Sequence, residues 1–370
     1  MKRTFSLLAI LLLAVTVQAQ DPPPLISPEV HSDNRVTFRF RGPNDKEVAV
    51  SLEGISTPIP MQKDDQGVWS ITTDPLPADF YGYTIIADGV SLFDPSNFAI
   101  KPNFLYRASE LHVPGPSLPW EIADVPHGEI HHHFYKSAVV GDHRSYFVYT
   151  PPGYDSRAKK PYPVLYLLHG YSDDATAWTA VGRANIILDN LIAQGKAKPM
   201  LVVMPLGYGA PEVLLPNSGV FHDRALTDRN FDKFREALLS EVIPRVETGY
   251  LVVKDRNSRA VAGLSMGGSE SLLTGLNTLK TFAWIGAFSS GGLSEDFDKE
   301  FPALDSKSAP PLRLLWIACG TDDHLIDINR KLRAWLASEN IQHVDIETPG
   351  SHTWMVWRRN LAEFAPLLFH

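Results

Sequence analysis

Cysteine is nearly absent. Cys319 is the only one in 370 residues, so no intrachain disulfide can form and stability must come from core burial. Cys319 follows the apolar run Leu314 to Ala318 and reads as an inert residue at a strand end. Positive charge is also scarce. There are 34 Lys and Arg against 42 Asp and Glu, a formal net charge of −8, which argues against nucleic acid or an anionic membrane as partner. No internal repeat, heptad or low-complexity tract is visible. The one long apolar run is at the N-terminus, where Lys2-Arg3 precede an apolar stretch from Phe5 to about Val17 and Val17-Gln18-Ala19 resembles a small-residue cleavage site. That stretch is shorter than the ~20 residues a membrane span needs. Residues 1–19 are therefore expected to be a cleavable signal peptide that sends the chain to the periplasm or out of the cell. Cleavage removes Lys2 and Arg3 and takes the net charge from −8 to −10. No cysteine lies near the leader, so a lipidated N-terminus is not expected.

Hydrophobic residues make up 44% and charged residues 21% of the chain, an ordinary globular composition long enough for two domains. After Asp21-Pro-Pro-Pro, short alternating segments follow one another: Val36 to Arg41, Val48 to Leu52, Val68 to about Thr73 and Tyr83 to Ala87. Val36, Phe38 and Phe40 share one face of the first. Turn signals separate the segments, among them Pro43-Asn44-Asp45 and Asp88-Gly89. Residues 25–103 are expected to form a small immunoglobulin-like β-sandwich. Residues 104–126, with Pro114, Pro116, Pro119 and Pro126, read as a linker lying over the surface. From 127 to 370 strands and helices alternate. Strand-like runs are Tyr146 to Thr150, Val164 to Leu168, Leu201 to Met204, Ala260 to Ala262, Trp284 to Phe288, Leu312 to Ala318 and Val344 to Ile346. Helical stretches include Ala184 to Gln194, Phe231 to Val246 and Asn329 to Ser338. The fold class is therefore α/β, a mostly parallel sheet with helices on both faces.

Within that half, Gly263-Leu-Ser-Met-Gly-Gly follows the strand-like Ala260 to Ala262 and opens a helix-forming stretch. This is a G-x-S-x-G nucleophile elbow in the context it requires. The serine must occupy a strained turn, and glycines on either side let neighbouring backbone pass closely. Ser265 is thus the expected nucleophile, and an α/β-hydrolase fold is implied. A serine needs a base, and the base an orienting acid. In such folds they follow in the order serine, acid, histidine, each after a strand. The strand ending at Ala318 leads into Cys319-Gly-Thr-Asp-Asp-His, and Val344 to Ile346 leads into Thr348-Pro-Gly-Ser-His-Thr-Trp. His352, on a tight loop after Gly350, is the expected base, with His324 as its rival. Spacing alone does not separate Asp322 from Asp323.

The tetrahedral oxyanion needs two N–H donors. Met266, after the nucleophile, supplies one, and Tyr171, in the loop Leu168-His-Gly-Tyr-Ser, supplies the other. His169 reads as structural, holding that loop. Tyr208, Phe221 and His222 are expected in the substrate pocket; Trp354 and Trp357 either wall it or fill the core, with Trp354 taken as substrate-binding. The run Ile130-His131-His132-His133-Phe134 lies in a strand, where neighbours face opposite ways, so no metal site is expected. Trp69 fits a sandwich core as well as a sugar-stacking platform.

Taken together, Tyr149-Thr-Pro-Pro-Gly-Tyr, Tyr166-Leu-Leu-His-Gly, Gly263-Leu-Ser-Met-Gly-Gly, Cys319-Gly-Thr-Asp-Asp and Gly350-Ser-His resemble the esterase-D-like group, in particular carbohydrate esterase family 1, the bacterial feruloyl and acetylxylan esterases. The resemblance runs from about His127 to the C-terminus. The front half resembles the family 48 carbohydrate-binding modules, an early-set immunoglobulin-like fold, through Val36 to Asn44, Gly67-Val-Trp and Tyr83 to Asp94-Pro95. The family pattern implies that the acid is Asp323 and that Tyr171 holds the oxyanion-loop position. It also implies release of ester-linked acyl groups, feruloyl or acetyl, from plant cell-wall xylan or its oligosaccharides, with no cofactor and no membrane partner once the leader is removed. Two alternatives stand beside it: an enterochelin-type siderophore esterase, whose members also pair an immunoglobulin-like front domain with this hydrolase fold, and a polysaccharide-binding protein with a vestigial hydrolase.

Overall fold

A computed structural model describes residues 24–370 except 117, 216–217, 221 and 306–309. The expected signal peptide lies outside the described residues. The front of the chain forms two facing antiparallel sheets. One runs in the order Glu29–Val30, Val36–Arg41, Val68–Thr72, Gln62–Lys63. The other is built on Val48–Leu52, Asp79–Ala87 and Ala108–Val113, with short strands at its edges. Alternation explains the pairing: Phe38 and Phe40 point inward and meet Val50, Leu52, Tyr83 and Ile85 across the interface. Trp69 lies in this core and donates its Nε1–H to Gly42 O. It is therefore not an exposed sugar platform.

The expected linker needs correction at its start. Ala108–Val113 is a full strand, with Ser109 paired to Tyr83 and Val113 to Asp79. Ser109, Leu111 and Val113 alternate inward and are buried. The sandwich thus runs on past residue 103, and the proline-rich stretch begins only after its last strand. That stretch is tied down rather than loose: Asn190 Nδ2 donates to Pro119 O and Glu121 O, and Trp120 is buried.

The second half is an eight-stranded mixed sheet. Its order is Glu129–Lys136, His143–Thr150, Leu201–Pro205, Val164–Leu168, Arg259–Leu264, Trp284–Phe288, Leu314–Gly320, Val344–Thr348. The first three strands pair antiparallel and the remainder parallel. The central strands are buried along their whole length, as unbroken apolar runs under two helical layers must be. Helices Arg224–Ala237, Met266–Asn277 and Ile326–Ser338 cover one face, and Ala184–Ala193 and Trp354–Phe364 the other. The helix expected over Phe231 to Val246 starts earlier, at Arg224, where Asp223 accepts Leu226 N–H as an N-cap. It widens into a π turn over Leu238–Val242, immediately before Pro244. Pro244 has no N–H to give the preceding turn, and a widened turn removes the clash of its ring.

The halves are joined by a buried ion pair. Arg358 is fully buried and donates to Asp79 Oδ1 at 2.7 and 3.2 Å, to Phe80 O at 2.6 Å and to Val181 O at 2.8 Å. Pairing the opposite charges offsets much of the cost of burying each. Asp79 Oδ1 also accepts Phe80 N–H at 2.8 Å, while Oδ2 has no hydrogen-bond partner among the described residues and stands 3.8 Å from Arg359.

Candidate active site

Ser265 sits between the strand Arg259–Leu264 and the helix Met266–Asn277 with φ 52° and ψ −117°. A positive φ is strained for a residue with a Cβ and persists only where the surroundings enforce it. Here Ser265 N–H is held by Phe288 O at 2.8 Å, and Ser265 O accepts from Gly268 N–H at 3.0 Å. The flanking glycines are needed for space. A Cβ on Gly263 would lie 2.4 Å from Gly267 O, and one on Gly267 would lie 2.4 Å from His169 O. On the facing loop a Cβ on Gly170 would stand 2.6 Å from Leu264 Cδ1 and 3.3 Å from Ser265 Cβ, a milder constraint set by side chains. The elbow and that loop are packed backbone to backbone.

His352 brings Nε2 to 3.0 Å from Ser265 Oγ and Nδ1 to 2.8 Å from Asp323 Oδ2. An ionised carboxylate can only accept, so Nδ1 carries the proton and Nε2 is left to accept the serine hydroxyl. Burial works to raise the Asp323 carboxyl, but the bond and charge of His352, with Leu325 N–H on Oδ1, outweigh it and hold the group below the usual carboxylate range. Asp322, one residue away, is exposed and faces Thr321 Oγ1. The structure thus separates the two aspartates that spacing could not. His324, the rival base, is exposed and faces Asp323 rather than Ser265: its Nδ1 stands 3.5 Å from Asp323 Oδ1 and its ring edge-on to His352 with centroids 4.7 Å apart. Asp323, His324 and His352 place ligand-type atoms within 4.8 Å of one another, but two of the three are committed to the serine relay.

On the facing loop, His169 is buried, and burial lowers its ring to about 4, partly offset by its bond to Gly170 O. The ring is therefore neutral. Gly207 N–H donates to Nε2 at 2.9 Å, which leaves Nδ1–H to donate to Gly170 O at 2.8 Å. In a trans peptide the N–H points away from the C=O. Holding Gly170 O on one side thus turns Tyr171 N–H to the other, and both Tyr171 and Met266, the first residue of its helix, line the cleft beside Ser265.

The family model described as "Putative esterase" matches residues 137–368. The chain belongs to this esterase family. It is 31% identical over 349 residues to an endo-1,4-beta-xylanase/feruloyl esterase of Xylanibacter ruminicola, which covers 92% of this chain and 46% of that protein. The chain thus spans about half the length of that relative. Among solved structures, a ferulic acid esterase of carbohydrate esterase family 1 from Anaeromyces mucronatus superimposes with a TM-score of 0.59 at 26% identity, covering 67% of this chain and 93% of that one. An enterochelin esterase from Shigella flexneri gives a TM-score of 0.69 at 20% identity, covering 92% and 94%. At that identity the likeness is one of fold.

The esterase cleft encloses about 900 Å³. Trp354 lines it, packed edge-on against Trp178 and Trp357. Trp357 lines it too, edge-on to the His352 ring with centroids 4.8 Å apart. His222 is on the wall as expected; Phe221 lies outside the described residues. Tyr208 is a correction. It is 1% exposed, its ring packs on His169, and its hydroxyl donates to Asp173 O at 2.8 Å. It therefore lies beneath the loop that carries Tyr171, not in the cleft. The histidine run does not converge: His132 stacks on Phe147, while His133 bonds Tyr250 at 2.6 Å. Sequence reasoning missed Glu53, Lys101, Asn103 and Tyr106, which the sandwich contributes to the cleft wall. Nothing in their local pattern marks them, because only the docking of the two halves brings them there.

Proposed function

We propose that this esterase hydrolyses ester-linked acyl groups, feruloyl or acetyl, on plant cell-wall xylan through an acyl-serine intermediate. The observation that carries the reading is the relay from Ser265 Oγ to His352 Nε2 at 3.0 Å and from Nδ1 to Asp323 at 2.8 Å, opening into a cleft of about 900 Å³. His352 takes the hydroxyl proton as Ser265 Oγ bonds to the ester carbonyl carbon, while Asp323 holds the imidazole and stabilises its charged form. The carbonyl oxygen becomes an oxyanion facing the N–H groups of Tyr171 and Met266, each donor being worth ~3 kcal/mol in the transition state. Collapse breaks the bond to the alcohol oxygen, which leaves with the proton from His352. Water then gives a proton to His352 and attacks the acyl carbon, releasing the acid and restoring Ser265.

Three observations support a plant-wall ester as substrate, the first two of them an aromatic acyl group. The 31% identical relative and the 26% identical Anaeromyces mucronatus structure are named for feruloyl ester cleavage, while another relative at 26% is named an acetyl esterase. The cleft is walled by Trp354, Tyr171 and Tyr106, flat surfaces suited to an aromatic acid. The leader pattern Lys2-Arg3 followed by Phe5 to Val17 supports export to where such polymers occur. A siderophore esterase is the second reading, favoured by the likeness of fold to the enterochelin esterase, which extends over 92% of the chain. A release assay on methyl ferulate, acetylated xylan and a catecholate siderophore separates them. Ferulate release is the expected result; siderophore cleavage with no action on the other two would overturn it.

A further inference from the structure

Glu53 and Asn103 belong to the sandwich by sequence, yet each bonds a loop of the hydrolase half. Glu53 follows the strand Val48–Leu52, and its Oε1 accepts Trp354 N–H at 3.2 Å. Trp354 is the first residue of the helix that begins two residues after His352, and Thr353 at its N-cap offers no side-chain bond. The carboxylate therefore supplies the missing cap from another domain, at the end of the helix where negative charge is favoured. Its other oxygen is held by Gly82 N–H at 2.8 Å and Lys101 Nζ at 2.7 Å. Burial works to raise this carboxyl, but Lys101, together with Arg358 and Gly82, keeps it below its ordinary value and so charged. The capped helix carries Trp357, which packs on the His352 ring and donates Nε1–H to Ser289 Oγ at 3.2 Å.

Asn103 does the same for the other loop. Its Nδ2 donates to Ser172 Oγ at 3.0 Å and Asp173 Oδ1 at 2.8 Å, and the next residue, Phe104, donates N–H to Ser172 O at 2.8 Å. Ser172 directly follows Tyr171 and has φ 71°, a left-handed conformation that a serine does not hold without support. Asn103 is itself fixed, because its Oδ1 accepts Leu105 N–H at 2.9 Å and Tyr106 N–H at 2.7 Å.

We propose that Glu53 and Asn103 are positioning residues through which the front sandwich sets the hydrolytic geometry, Glu53 holding the His352 loop and Asn103 the oxyanion loop. This rests on the serine-esterase reading above. It makes the sandwich a working part of the site whether or not it also binds polymer.

The test uses the full chain and three variants, Glu53→Ala, Glu53→Gln and Asn103→Ala. Active sites are counted with a fluorophosphonate, and the rate constant of phosphonylation, kcat and KM for methyl ferulate are expressed per titrated site. Displacing a catalytic loop by a fraction of an ångström is expected to lower kcat and the phosphonylation rate ~10-fold in Glu53→Ala and in Asn103→Ala, with KM changed by less than about twofold. Glu53→Gln keeps an acceptor for Trp354 N–H and should recover part of the loss. A merely structural role lowers melting temperature and the number of titratable sites while each surviving site reacts at the wild-type rate; that result overturns the proposal. If Glu53→Ala does not fold, Asn103→Ala and Glu53→Gln decide by the same per-site rates. Failure of the wild-type chain to react at Ser265 would instead sink the serine-esterase reading itself.

Discussion

At the scale of single residues, adjacent side chains of the same type have opposite fates. Asp323 is buried against His352 Nδ1, while Asp322 is turned to solvent. Asp323→Asn keeps the shape but loses the charge and invites the wrong imidazole tautomer, so kcat should fall about 10⁴-fold. Asp322→Asn should leave kcat within about twofold. Steady-state rates on one phenolic ester check both. Asp173 offers a second, pH-dependent prediction. Burial pushes its carboxyl up to about 7, with Lys101 and Asn103 pulling the other way. Unfolded, the same group ionises near pH ~4. Between these values the folded state keeps a proton that the unfolded state has lost, so the group's contribution to stability falls as pH rises and levels off above about 7. Asp173→Asn removes the titration. Its melting temperature relative to wild type should climb from pH ~4 to about 7 and then stay flat; a pH-independent difference would contradict the assignment.

At the scale of elements, the site is made by four loops at the ends of parallel strands, and what decides the distance between the elbow and the Tyr171 loop is the absence of side chains. A Cβ on Gly267 would meet His169 O at 2.4 Å and Leu168 O at 2.6 Å, both backbone. Neither atom can rotate away. Gly267→Ala must therefore separate the helix from the His169–Tyr171 loop, costing ~1–3 kcal/mol of stability and a larger share of kcat than of KM; thermal melts with steady-state kinetics report both. These glycines were legible in the sequence because G-x-S-x-G names the positions that need them. The strands were legible too: Val164–Leu168 and Trp284–Phe288 are short unbroken apolar runs, and their buried faces leave no other reading. Ala108–Val113 was not placed, although Ser109, Leu111 and Val113 alternate, because the prolines that follow drew the whole stretch into a linker. Tyr208 was misplaced for a different reason. A long loop after a strand suggests a pocket wall, but whether a given ring faces the cleft or the loop's underside depends on partners such as His169 and Asp173 that no local pattern reveals.

At the scale of the whole molecule, the two halves act as one body. The Asp79–Arg358 pair is buried at the joint, with Arg358 also bonded to Phe80 and Val181. Asp79→Ala would leave a buried guanidinium without its counter-charge, at a cost of ~3–5 kcal/mol. The chain should then melt earlier as a unit; two separated transitions, with the hydrolase half unchanged, would show that the joint is weaker than this geometry implies. For the same reason, cutting away the sandwich does not isolate a hydrolase: it strands Arg358 and removes Glu53 and Asn103 from the loops they hold. This dependence lies between residues about 70 to 300 positions apart, so it appears only once the chain is folded.

The most direct test of the central claim is the site of covalent modification. The full chain is treated with a fluorophosphonate and its peptides are mapped by mass spectrometry, alongside a His352→Ala variant. One adduct is expected, on Ser265, formed rapidly in the wild type and at least ~10³-fold more slowly without the imidazole. An adduct on another residue, or equal labelling of Ser265 in both proteins, would contradict the claim.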